Sequence, residues 1–162
     1  MIATRSSRRR CFAGAEDGSA AVEFAVSASV FFMTLVGLMK ICLAIYTFHF
    51  VAEAACEGSR YAIVRGSSCN STYLTSACPA TGGNISTYVK GLGYPGISSS
   101  AMTVTTTWGQ YPTGRTCTPS STCDNPGDLV TVKVQYAFPL SIPFMASKTY
   151  TMQSTSAMVI SQ

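Results

Sequence analysis

An uncharged and mostly apolar stretch of the chain runs from Phe24 to Met39, between Glu23 and Lys40. As a helix, the steps from position 23 to position 40 span about 26 Å at 1.5 Å per residue. A hydrocarbon core is roughly 30 Å thick, and the long side chain of Lys40 can make up the difference by extending to the interface. The pattern therefore predicts one membrane-spanning helix with a carboxylate at its start and Lys40 as its membrane-exit anchor.

Glu23 is the acidic residue at the mouth of this segment. An ionised carboxylate is costly beside hydrocarbon unless it is solvated or paired. Glu23 is therefore either a side chain that rests in the lipid headgroup layer or a residue that pairs with a positive charge during function. A cleaved secretory signal peptide fits less well, because the nearest small-x-small site, Ala52-Glu53-Ala54, lies more than ten residues beyond Lys40.

Helical spacing continues beyond Lys40. Apolar and small residues recur three and four apart, at Ile41, Ile45, Phe48, Ala52, Ala55, Ser59 and Ala62. This spacing is typical of one helix face, and Gly66 is a natural stop, so we predict one helix that ends at about Val64. A helix far longer than a membrane needs a neighbour. Its face can pack against the chain's own C-terminal domain, against other helices, or against each along different lengths.

From Gly66 onward, Ser, Thr, Gly, Pro and Cys dominate, and the pattern is that of short strands joined by turns. Met102–Trp108 is rich in β-branched residues, and Leu129–Phe138 alternates apolar and polar positions. Pro139 and Pro143 are predicted to break the chain before a last strand from about 148 to 160.

A short helix is predicted over Ile85–Lys90, capped by Asn84 and ended by Gly91. The fold class is therefore α+β. A long N-terminal transmembrane helix precedes a small exported domain with a three- to four-stranded antiparallel sheet and loops stapled by disulfides.

Seven cysteines are more than a reducing cytosol usually leaves in a small chain. Cys69 and Cys78 enclose one short loop, and Cys117 and Cys123 enclose another, so these are the simplest disulfide pairs. Four cysteines allow three connectivities, and the other two pairings remain open. Cys42 and Cys56 lie about 21 Å apart along one helix, which is too far for a mutual disulfide. They are therefore free or intermolecular.

The charge distribution argues against nucleic-acid binding. The formal net charge is +4, and four of the eleven cations lie in the first ten residues, at Arg5, Arg8, Arg9 and Arg10. The rest of the chain is nearly balanced, without the extended basic patch that nucleic-acid binding requires. The cluster instead indicates that the N-terminus stays in the cytoplasm.

The residues offer little for catalysis or for a metal. The only histidine, His49, lies on the predicted helix, and the C-terminal half contributes only Asp124 and Asp128 as carboxylates. No nucleophile, phosphate-binding or Cys-x-x-Cys motif is present. We therefore predict a protein that is not an enzyme and that needs no cofactor.

Two motifs carry a resemblance to a known family. The segment 18–24, with Gly18, Glu23 and Phe24 in register, resembles the processing site of type IV prepilins. Residues 54–62 are similar to the alanine-rich Glu-Gly-small-Arg segment of TadE-like minor pilins of the tight-adherence (Flp) pilus. The strand-like tracts 129–138 and 150–159 are similar to the two tracts that end those proteins.

This resemblance implies that a prepilin peptidase cuts after Gly18, so that Ser19 becomes the first mature residue. It also implies that Glu23 and Phe24 act in assembly, with the new amine of Ser19 and the carboxylate of Glu23 forming charge pairs between neighbouring helices. The implied partners are the peptidase, other pilins of the same system, the inner-membrane assembly platform and the lipid bilayer.

The implied organisation has three parts: a basic leader at 1–18, a transmembrane and extended helix at 19–65, and an exported head at 66–162. The chain would cross the bacterial inner membrane once, with its N-terminus in the cytoplasm and its C-terminal domain in the periplasm. Three alternatives stay open. They are a type II secretion pseudopilin, a membrane-anchored envelope or adhesive domain outside any filament, and a membrane-bound hydrolase whose catalytic set the sequence does not reveal.

Overall fold

The computed structural model describes residues 16–70, 72, 77–113, 115–117, 123–141 and 146–161. The two α-helices are α1 (Glu16–Ile63) and α2 (Gly82–Gly91), and a short 3₁₀ turn covers Ser99–Ala101. The four strands are β1 (Met102–Gln110), β2 (Arg115–Thr116), β3 (Leu129–Leu140) and β4 (Lys148–Val159). The predicted α+β class, with a long apolar helix ahead of an antiparallel sheet, is confirmed.

By its internal contacts the chain divides between Met39 and Lys40 into two compact units. In the first unit, α1 exposes its large apolar side chains, among them Phe24, Val30 and Phe32. From Gly18 onward α1 is long and apolar enough to cross a membrane, and no side chain of its most apolar window is buried. A helix that is apolar and uncovered on all sides fits a lipid environment rather than water.

The second unit is built on one antiparallel sheet with the strand order β2-β1-β3-β4. Its register places Lys133 of β3 between Thr105 of β1 and Thr155 of β4. Alternate residues of β3 face the core, and five of them are buried: Val130, Val132, Val134, Tyr136 and Phe138. The strand and the inward face predicted from the alternation are therefore present.

The part of α1 beyond Lys40 packs on this inward face together with α2. The packing is tight at Gly58, where an added Cβ would lie 2.9 Å from Val89 Cγ2 and 3.0 Å from Val132 Cγ1. Ser59 Oγ hydrogen-bonds Ser156 Oγ at 2.8 Å, which fixes the helix against β4. The second half of α1 is therefore a core element of the C-terminal unit.

The buried face of α1 differs from the predicted one. Ala55, Ser59 and Ala62 are buried as members of the predicted face, but Ile41 and Phe48 of the same face are 57% and 54% exposed. The predicted positions repeat every seven residues, and such a stripe drifts by about 20° per heptad around a straight helix. Phe48 is only one heptad from buried Ala55, so this drift is too small to explain its exposure. The buried residues Thr47, Phe50, Val51 and Ala54 lie on an adjacent side of α1, and at this level the core contacts that side.

Two local predictions were wrong. Thr81, not Asn84, caps α2: Thr81 Oγ1 accepts a hydrogen bond from Asn84 N at 3.3 Å and donates to Asn84 Oδ1 at 2.8 Å. Pro139 does not end β3 but pairs with Thr149 inside it. Because β1 accompanies β3 only as far as Tyr136, Pro139 has a neighbour on one side and its missing N–H can lie on the free side. Pro143 lies outside the described residues.

Candidate functional site

The segment predicted to carry processing and assembly lies at the start of α1. Gly18, Ser19, Glu23 and Phe24 are all helical and exposed, and Phe24 is 75% exposed. Ser19 and Glu23 are four residues apart, so they lie on the same face of the helix. The carboxylate of Glu23 and the residue predicted to become the amino terminus are therefore exposed on the same side of the helix.

Hydroxyl groups further along this segment are satisfied within the helix. Ser29 Oγ donates to the carbonyl of Val26 at 2.7 Å, and Thr34 Oγ1 donates to the carbonyl of Phe31 at 2.7 Å. Such bonds remove the cost of placing a hydroxyl in hydrocarbon.

In the described part of the chain the single ion pair joins Arg60 to Glu57 at 3.0 Å, so Glu23 has no cationic partner there.

Lys40, the predicted membrane-exit anchor, is half-buried at the edge of a cavity in the C-terminal unit. The cavity lies among the first turns of α1 beyond Met39, the loop Pro95–Ile97 and the end of β3. Tyr46 closes one side, since its hydroxyl donates to the carbonyl of Pro95 at 3.4 Å. Sequence reasoning placed Lys40 at the end of the apolar run but gave no sign of a cavity.

Tyr94 lies on the same loop, against the next turn of α1. Its ring packs on Phe50 with 4.3 Å between centroids. Burial raises the pKa of Tyr94 above its ordinary value of 10.0, and the negative charges of Glu53 and Glu57 raise it further. The neutral phenol therefore suits this position better than the phenolate does.

The raised pKa of Tyr94 predicts a pH dependence. Tyr94 is neutral in both the folded and the unfolded chain below about pH 10, so its contribution to stability is fully present there. Above that pH the unfolded chain ionises first, and the contribution is lost as pH rises through the folded pKa. We expect the tyrosinate absorbance difference between the native chain and Tyr94→Phe to titrate with a midpoint above pH 10. Glu53→Gln removes one of the two negative charges and is expected to lower that midpoint. A Tyr94 midpoint at or below 10 would contradict this.

Both predicted disulfides are present. Cys69 is bonded to Cys78 and Cys117 to Cys123, with Cα separations of 5.9 and 6.0 Å. Cys123 is 1% exposed, so the second bond ties its loop into the core. Among the described residues the free cysteines are Cys42, which is exposed, and Cys56, which is half-buried. Cys11 lies outside the described residues.

An aromatic stack that the sequence analysis missed joins the end of α1 to α2. The rings of Tyr61 and Tyr88 stack with 4.2 Å between centroids, and the guanidinium of Arg65 lies 3.8 Å above the ring of Tyr61. The sequence indicates one part of this stack, because Tyr61 and Arg65 are four residues apart and therefore lie on the same helix face. It does not indicate Tyr88, which follows a disulfide-closed loop.

His49 is exposed on α1. Across the described ranges, no group of three His, Cys, Asp or Glu side chains is placed to hold a metal ion. The residues that the structure brings together form a hydrophobic core, side-chain hydrogen bonds and two disulfides.

The comparisons with known proteins bear on α1. Residues 18–60 match the family model described as TadE-like protein. The match begins at the glycine of the predicted cleavage site and extends to Arg60, through the segment that packs on the sheet, and it confirms the resemblance seen in the sequence. No curated protein and no solved structure matches the chain.

Proposed function

We propose that this chain, which is TadE-like over residues 18–60, is a membrane-anchored minor pilin of the tight-adherence pilus. The TadE-like family is a structural one, associated with this pilus. The observation that carries the proposal is the position of Gly18, Glu23 and Phe24. They lie exposed at the start of an uncovered apolar helix, inside the segment that matches the family.

Processing is the first step of the proposed mechanism. The basic leader, 1–18, holds the N-terminus in the cytoplasm, where a prepilin peptidase cuts after Gly18. The cut leaves the amine of Ser19 on the same helix face as Glu23. A face that carries both charges can pair reciprocally with the same face of a neighbouring pilin helix.

Charge pairing is the second step. In a bundle of apolar helices the local dielectric is low, so an unpaired carboxylate is strongly disfavoured and a paired one is accepted. Glu23 would thus select neighbours that offer a processed amine. Proteins that still carry their leader would be excluded from the assembly.

The two disulfides support a periplasmic position for the C-terminal unit, because such bonds persist in oxidising compartments. With the basic N-terminus in the cytoplasm and one apolar span between them, the chain would cross the inner membrane once. Other pilins and the assembly platform would meet it in that membrane, and surface attachment by the finished pilus would be the cellular outcome.

Mass analysis of the mature N-terminus tests the processing step. In cells that contain the pilus system, the native chain is expected to begin at Ser19. Gly18→Leu is expected to keep residues 1–18, because the peptidase must accommodate the residue before the cut. Gly37→Leu is the matched control: at both glycines an added Cβ meets nothing within 4 Å, so neither change disturbs packing within the chain.

The mass result also separates the alternatives. A mature chain that begins at Met1 or Ile2 would defeat the pilin proposal and favour a membrane-tethered envelope domain. A start near Ala55 would indicate a cleaved secretion signal. Normal cleavage of Gly18→Leu would show that this glycine does not define the site.

A further inference from the structure

The cavity beside Lys40 has the lining of a lipid site. Its volume is about 170 Å³, and its walls include Leu43, Ile97 and Phe138. The hydroxyls of Tyr46 and Thr47 at its edge are already bonded to backbone carbonyls, at 3.4 and 2.8 Å. The cavity therefore offers an apolar interior with few polar groups left to satisfy.

The ammonium of Lys40 is the charge available at this cavity. The single ion pair between described residues is Arg60 with Glu57, so in that part of the chain no carboxylate neutralises Lys40. Lys40 directly follows the uncharged run that ends at Met39. A cation at the end of an apolar span lies at the depth of lipid phosphates.

The surface around the cavity is also apolar. Ile41, Leu43, Ile45 and Phe48, which we call the exit collar, are between 45% and 57% exposed although they belong to the C-terminal unit. Ile41, Ile45 and Phe48 lie on one face of the helix, whereas Leu43 lies on the side of the cavity. Exposed apolar side chains grouped in this way mark contact with another apolar phase or partner. Because the exit collar continues the apolar span along the same helix, lipid is the neighbour that the sequence places there.

We propose that the cavity binds one phospholipid of the leaflet on the head's side of the membrane. The phosphate lies beside the Lys40 ammonium, and one acyl chain enters between Leu43 of α1 and Phe138 of β3. A bound lipid would fill the space between helix and sheet at the point where α1 leaves the bilayer. The inference rests on the membrane-anchoring part of the proposed function but not on leader cleavage or pilus assembly.

Photocrosslinking in vesicles tests the site. The full chain is reconstituted into vesicles of phosphatidylethanolamine and phosphatidylglycerol that contain a phosphatidylglycerol with a photoactivatable acyl chain. Adducts are mapped by mass spectrometry. We expect adducts on the segments 95–97 and 136–139, which border the cavity, in addition to adducts along 24–39.

Charge variants sharpen the test. Lys40→Gln is expected to reduce adducts at the cavity by about fivefold, the effect of one lysine near an anionic surface, while Lys40→Arg retains them. Lys90→Gln is the matched control, because Lys90 lines a second cavity, of about 110 Å³, and not the cavity beside Lys40. It is expected to leave the adduct yield unchanged.

Three results would overturn the lipid site. They are adducts confined to 24–39, equal yields in Lys40→Gln and the native chain, and loss of the cavity adducts when inorganic phosphate is added to intact vesicles. Flotation of the vesicles separates this failure from that of the proposed function. A chain that does not float refutes membrane anchoring and the lipid site with it, whereas one that floats without cavity adducts refutes only the lipid site.

Discussion

Replacing Gly58 with valine is expected to destabilise the C-terminal unit by about 3 kcal/mol, the upper end of the usual cost of overpacking a core. An added Cβ would already lie 2.9 Å from Val89 Cγ2 and 3.0 Å from Val132 Cγ1, and both valines are fully buried. Branched side chains have few rotamers with which to retreat. The helix would have to move away from α2 and β3 together.

Unfolding of the full chain in detergent measures this effect. The only tryptophan, Trp108, is 8% exposed, so its fluorescence reports directly on the core. Gly91→Val is the control, because Gly91 ends α2 and an added Cβ there meets nothing within 4 Å. Equal stability of Gly58→Val and the native chain would show that α1 does not pack on the sheet as described.

Substituting glutamine for Glu23 is expected to reduce co-purification with other pilins by at least roughly tenfold. Removing one member of a charge pair in a low-dielectric bundle leaves the other unpaired, at a cost of about 3–5 kcal/mol. Glutamine keeps the size and helix propensity of glutamate, and Glu23 touches no described cation within the chain. The variant should therefore insert, be processed at Gly18 and accumulate normally.

Two further variants make the Glu23 result specific. Glu53→Gln removes a carboxylate that is exposed elsewhere on α1, and it should assemble normally. Glu23→Asp keeps the charge and should assemble better than Glu23→Gln. If Glu23→Gln instead recovers as much pilin partner as the native chain does, the pairing mechanism fails even where leader cleavage is intact.

The sequence predicted those elements that are determined by residues near one another in the chain. The apolar run after Glu23 required a long helix, the alternation from Val130 to Tyr136 required a half-covered strand, and the short loops between cysteines favoured the observed pairs. Each of these signals lies within one continuous segment of the sequence. None depends on which element packs against which.

The missed features depend on contacts between distant residues. In the sequence Gly58 is only a residue of low helix propensity. Its role in close packing depends on Val89 and Val132, which are distant in the chain. The two-residue strand β2 exists because Arg115 and Thr116 pair with the end of β1, which their own sequence does not indicate. Pro139 is tolerated because β1 is shorter than β3 on that side. The cavity at Lys40 likewise requires three separate segments to meet.

The division of α1 between two units affects how the C-terminal unit could be released from its anchor. Phe50, Val51 and Ala54 of α1 are buried core residues of the C-terminal unit, so part of the helix belongs to its hydrophobic interior. A protease acting within 50–62 would remove part of the hydrophobic interior along with the anchor. Intact shedding would require a cut close to Met39, which leaves the exit collar in water and the freed fragment prone to self-association.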